Sequence, residues 1–116
     1  MATTNESGVR TFTAETAVEA FRRVALGTGA NQVAHAGNAA KGVGVTLAAA
    51  AAGAEVAVKL WTAPGTHKIE AAGIIGVNAL VTAAADGKIA TGGTVDVGYN
   101  LTGAAADGSI QEVAAL

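Results

Sequence analysis

The residues of this 116-residue chain to which chemistry is most readily assigned are two histidines, His35 and His67, two serines, Ser7 and Ser109, and three aspartates, Asp86, Asp96 and Asp107. A zinc site needs three or four converging nitrogen, sulfur or carboxylate ligands. The histidines lie 32 residues apart with no Asp or Glu at ligand-like spacing, so both read as surface or turn residues, and no metal or other cofactor is expected. Paired carboxylates can share general acid and base roles, but Asp86 and Asp107 each precede a glycine, and turn formation accounts for them. Neither serine sits in a G-x-S-x-G elbow. The chain is therefore expected not to be an enzyme.

Gly27-Thr28-Gly29 and Gly42-Val43-Gly44 look like the start of a phosphate cradle. Neither continues to a third glycine opening a long helix, as dinucleotide binding requires, so these glycines are assigned to turns and strand bends. Arg22-Arg23 is the one adjacent basic pair. One arginine is expected to point outward and the other to cover apolar surface beside Phe21. The functional alternative is an interface ion pair, since guanidinium grips a carboxylate through two parallel bonds. Trp61, the largest side chain, is either a plug for a thin core, which is the favoured reading, or an exposed interface anchor.

Composition excludes other classes. Seven Lys and Arg are scattered through a chain of net charge −2, which lacks the basic stripe that nucleic acid binding needs. There is no cysteine, so no disulfide or thiolate chemistry is available. The longest low-polarity stretch, 43–58, is rich in alanine and includes Thr46 and Glu55; it falls short of the ~20 strongly apolar residues of a membrane span. The first eight residues have neither the basic start nor the apolar run of a signal peptide.

The elements that would position any site are β-strands. Runs rich in Val, Ile and Leu at 22–26, 42–47, 55–61, 73–81, 88–91, 94–101 and 109–113 are separated by Gly, Asn and Asp, the spacing of a sandwich or barrel. Asp86-Gly87 and Asp107-Gly108 are the strongest turn signals. Residues 13–21 fit one or two helical turns or an extended lead-in. The alanine runs 48–52 and 104–106 are too short for stable helices and read as connectors. Residues 1–12 are polar and small and are expected to form a flexible arm, with 13–116 a single β-rich domain.

The chain also repeats itself. Val43-Gly44-Val45-Thr46-Leu47, an alanine run and Gly53 are echoed by Val97-Gly98-Tyr99-Asn100-Leu101, a second alanine run and Gly108; Gln32-Val33-Ala34 is echoed by Lys88-Ile89-Ala90. Two similar β-units, about 22–60 and 77–116, are expected to pack against each other in one compact body, since two copies are too few for a solenoid.

Arg23-Val24-Ala25-Leu26, the run from Gly42 through Leu47 and the alanines to Glu55-Val56-Ala57-Val58, Ala85-Asp86-Gly87-Lys88-Ile89 and Ala104-Ala105-Ala106-Asp107-Gly108 together resemble the small capsid decoration (cement, head-stabilising) proteins of tailed bacteriophages. The similarity runs through residues 13–116. It implies a compact, β-tulip-like fold, a homotrimer, and the major capsid protein as partner. It also implies a place on the outer capsid of the virion after synthesis in the host bacterial cytoplasm. The candidate contact residues are Val9, Arg10, Phe12, Arg22, Arg23 and Trp61. The reading from another class is a small surface-displayed recognition module, a glycan-binding or fibre-base domain, for which Trp61 and Tyr99 are the available aromatic platforms.

Overall fold

Strands form wherever β-branched residues alternate with small or polar ones. In a computed structural model describing residues 8–102 and 106–116, they assemble into two units. In the first, β1 (Val9–Ala14), β2 (Arg23–Leu26), β3 (Gln32–His35), β4 (Gly44–Thr46) and β5 (Glu55–Leu60) close into a barrel in the order β1-β3-β2-β4-β5. In the second, β6 (His67–Glu70), β7 (Leu80–Ala83), β8 (Ile89–Ala90), β9 (Asp96–Asn100) and β10 (Ile110–Ala115) form a sheet in the order β6-β10-β9-β7-β8. The protein is thus mainly β, barrel-like, and built from two similar units.

The units match pair for pair. β1 runs antiparallel to β5 and parallel to β3; β6 runs antiparallel to β10, and Ala71, just beyond β6, makes a parallel bridge to Ile89 in β8. Val24 faces Gly44 as Val81 faces Gly98, and Thr46 faces Val58 as Asn100 faces Val113. Both glycines are required. A Cβ at Gly44 would meet the Lys59 carbonyl oxygen at 2.3 Å, and one at Gly98 the Ala114 oxygen at 2.1 Å, so the strand approaches its neighbour more closely than any side chain permits. The buried polar groups match as well: Thr46 Oγ1 donates to the Glu19 carbonyl and Asn100 Nδ2 to that of Gly76.

The matching region spans 9–60 and 67–115, wider than the bounds read from the sequence, because β1 and β6 share a place in the fold but little texture. Each unit has its own core. Phe12, Ala14, Val18, Val24, Val33, Val56 and Val58 fill the first; Ile69, Ala71, Ile75, Val81, Ala83, Ile89, Val97 and Val113 fill the second, together with Val45 from β4 of the first. At ~25 cal/mol per Å² of apolar surface buried, valine-sized side chains give a modest stabilisation each, so the contact between units matters.

Several expectations need correction. Residues 9–12 are not part of a flexible arm, because β1 pairs with β5 from Val9 to Thr13 and closes the barrel; residues 1–7 lie outside the described residues. β1, β3 and β6 were absent from the expected strands. Residues 15–22 form bends, one bridge from Val18 to Ala50 and a turn at 20–21, with no helix. The strand expected over 73–81 begins only at Leu80. At Asp86-Gly87 the chain reverses between β7 and β8 with φ of 57° and 75°, the left-handed pair that a tight hairpin needs. Of the second alanine run, 104 and 105 lie outside the described residues.

Candidate interaction surfaces

The two arginines at the start of β2 hold the units together. Arg23 is fully buried. Its guanidinium donates to five backbone carbonyls: Gly37, Ala40 and Lys41 of the first unit, at 3.3, 2.6 and 3.4 Å, and Ala84 and Lys88 of the second, at 2.6 and 2.9 Å. Burial lowers its pKa to about 10. A planar fork of five donors suits such a set of acceptors, whereas an ammonium offers only three. Arg22 donates to the Asp86 carbonyl at 2.9 Å, to Glu70 at 3.1 Å and to Glu19, and Lys88 reaches the same Glu70 carboxylate at 3.2 Å. Neither arginine points outward. Both were candidates for contact with another protein, and both are spent inside the chain.

The remaining candidates divide. Phe12 is core, at 3% exposure, because β1 turns it into the barrel opposite Val56. Arg10 is exposed and lies over the Phe12 ring, 4.7 Å from its centroid. Val9 is exposed and pairs with Lys59. Trp61 is half-buried against the second core, donates Nε1–H to the Gly42 carbonyl at 3.0 Å, and has Lys41 Nζ 5.0 Å from its ring. It is mainly a plug between the units, and so a poor glycan platform.

His67 is also inside, at 1% exposure, which corrects the surface reading. β6 is a strand of the second unit, and alternation sends His67 and Ile69 inward. Its Nε2–H donates to the Leu60 carbonyl at 2.9 Å, its ring lies 4.9 Å from that of Trp61, and Nδ1 has no protein partner. Burial lowers its pKa. His35 accepts a hydrogen bond at Nε2 from the Glu19 N–H at 3.1 Å; burial, then the Arg22 charge, lowers its pKa too. The two rings serve different units, and among the described residues no three His, Asp or Glu side chains gather into a metal-binding group.

The fold also leaves large apolar side chains outside. Ile74 and Val77, on the loop before β7, are 79% and 60% exposed, and Leu26, Leu80, Tyr99, Leu101 and Leu116 are also exposed. Of these, Tyr99 alone was singled out from the sequence, as an aromatic platform for the glycan-binding reading. For Ile74 and Val77 the available signal was the apolar run 73–81, which Gly73, Gly76 and Asn78 interrupt. A shallow cleft of about 410 Å³ lined by Phe21, Leu47, Lys59, Thr66 and Lys68 completes the surface. Phe21 holds φ of 60°, as does its counterpart Asn78 at 61°. That backbone is unfavourable for an aromatic residue, and Phe21 is held there by bonds from its N–H to Thr46 and from Glu70 N–H to its carbonyl.

No protein-family model matches the chain, and no curated protein does. Among solved structures, the N base of the head fiber gp8.5 of bacteriophage phi29 superposes with a TM-score of 0.81 over 93% of this chain and 92% of that one, at 20% identity. The two share one fold. The shared fold covers nearly all of both chains.

Proposed function

We propose that the chain is a structural protein of a phage head: a decoration or cement protein that binds the outer surface of the major capsid protein shell as a homotrimer and stabilises the head. The observation that supports this most is the fold shared, nearly end to end, with a head fiber base. It agrees with the resemblance to capsid decoration proteins in residues 13–116. Of the side chains to which chemistry is most readily assigned, His67 is internal and Asp86 makes a turn. On this reading the chain catalyses no reaction and works by adhesion.

The surface assigned to the shell is the loop carrying Ile74 and Val77, the most exposed large apolar side chains with Leu26 and Leu116. At the matching places of the first unit stand Ala17 and Ala20, so of the two matching loops the second alone carries large apolar side chains at these two positions. A patch of ~800 Å² per partner is ordinary for a specific complex, and three copies acting together gain avidity without one strong contact.

A second reading, the base of a projecting head fiber, is favoured by the name of the structural neighbour. It shares the shell-binding face and differs in whether the body carries a rod. Sedimentation of the purified protein with empty shells of its phage tests both: saturable pelleting is expected, lost in Ile74→Asp/Val77→Asp. Pelleting unchanged in that variant would move the docking face elsewhere, and no pelleting of the native chain would reject the proposal.

A further inference from the structure

The two units meet head to tail. The outer face of β2-β4-β5 in the first unit, formed by Arg23, Val45 and Lys59, is pressed into the end of the second. Arg23 bonds the carbonyls of Ala84 and Lys88, Val45 joins the second core, and Trp61, just past β5, packs beside it. The repeat fixes the counterparts of these residues. Arg23 pairs with Val45 as Leu80 pairs with Tyr99, and Trp61 N–H bonds Val43 as Leu116 N–H bonds Val97. Leu80, Tyr99 and Leu116 therefore form in the second unit the face that Arg23, Val45 and Trp61 form in the first. They are 37%, 46% and 62% exposed, against 1% for Val45.

The receiving end is left open in the same way. The second unit receives the first beside Ala83, which is buried at 4% and pairs with Ile89; the counterpart pair in the first unit is Leu26 with Val33, and Leu26 is 66% exposed. The adjoining turn at 28–31 is exposed as well. One chain thus exposes the apolar side chains of an entering face, where the Leu116 carbonyl accepts from Lys41 of the first unit at 2.5 Å, and a receiving end in which Leu26 stands beside the polar turn at 28–31.

We propose that copies of this chain associate head to tail, with Leu80, Tyr99 and Leu116 of one copy seated on the Leu26 end of the next. The chemistry of the contact differs from the interior one. Leu80 stands where Arg23 stands, so the copy-to-copy contact is hydrophobic, where the interior one is built on carbonyl acceptors. A heterologous contact of this kind closes into a ring when its rotation allows, which gives the proposed homotrimer a specific surface. The inference rests on self-association alone and not on shell binding.

The full chain lacks cysteine, which makes cross-linking clean. Sedimentation equilibrium of the native chain is expected to show an oligomer, and Tyr99→Asp and Leu26→Asp are each expected to weaken it at least ~30-fold, the scale of a hot-spot loss. Because each variant keeps one good end, an equimolar mixture of the two is expected to form a heterodimer. Under oxidation, Tyr99→Cys mixed with Leu26→Cys is expected to cross-link, while neither does so alone. A monomeric native chain would reject self-association. Self-cross-linking of Tyr99→Cys, or an oligomer indifferent to both Asp variants, would overturn the head-to-tail contact while leaving the trimer and the shell reading standing.

Discussion

Val45 and Tyr99 occupy the same place in the two units, each opposite the outer-face residue that precedes a core valine; Val45 is 1% exposed and Tyr99 46%. The difference arises from what stands over them. The second unit covers Val45, and nothing in the chain covers Tyr99. The same asymmetry separates the arginine junction, which is rich in hydrogen bonds, from the exposed apolar side chains of Leu80, Tyr99 and Leu26.

Arg23→Lys and Arg23→Met should each destabilise the protein, Met more. Removing the fork strands several buried carbonyls, each costing ~1–3 kcal/mol when left unpaired. A loss of about 3 kcal/mol or more is expected for Arg23→Met from the urea midpoint at constant m-value. A change below ~1 kcal/mol would mean that the junction is held by packing alone.

Gly98→Ala and Gly53→Ala separate two uses of glycine. At Gly98 an added Cβ meets the Ala114 oxygen at 2.1 Å, whereas at Gly53 nothing lies within 4 Å but φ is 83°. Overpacking typically costs ~1–3 kcal/mol, and a left-handed backbone ~1 kcal/mol for alanine. Thermal unfolding should therefore rank Gly98→Ala below Gly53→Ala, and the reverse order would refute the close-approach reading.

Stability should fall as pH drops below the ordinary histidine value of 6.5. Both histidines have folded pKa values below the unfolded one, so the unfolded chain binds protons first. Their contribution is complete above 6.5 and is lost as pH falls toward the depressed folded values. Protonating His35 at Nε2 also removes the acceptor for Glu19 N–H. Urea midpoints between pH 7 and 5 should decline in the native chain and decline less in His67→Gln. Equal slopes would show that carboxylates dominate this range.

Phe12→Ala should cost ~3–5 kcal/mol, the usual loss for a buried aromatic, and deletion through residue 12 should unfold the first barrel. If residues 9–12 were a detachable arm, circular dichroism and melting would be unchanged by either.

Most of the strands were legible because Val and Ile alternate with small or polar residues. β1 and β6 were not. Thr11 and Thr13, or His67, Lys68 and Glu70, give a polar texture, and these strands are fixed by pairing with residues about 45 positions away in chain order (Phe12 with Val56). Such nonlocal closure leaves no local periodicity. The repeat was visible where β4 and β9 carry the same glycine, a position dictated by close approach. The roles of Arg22 and Arg23 were illegible, because which of two adjacent arginines enters the core depends on where the loop at 37–41 and the turn at 84–88 place their carbonyls. His67 was misread for a similar reason: without β6, no alternation turned it inward.

The central claim is that this two-unit body adheres to a phage shell. Electron cryo-microscopy of virions carrying the gene tests it most directly. The account predicts density on the outer capsid surface into which both units fit as one body, with the Ile74–Val77 loop toward the shell. Virions with no such density, and no trace of the chain by mass spectrometry, would contradict it.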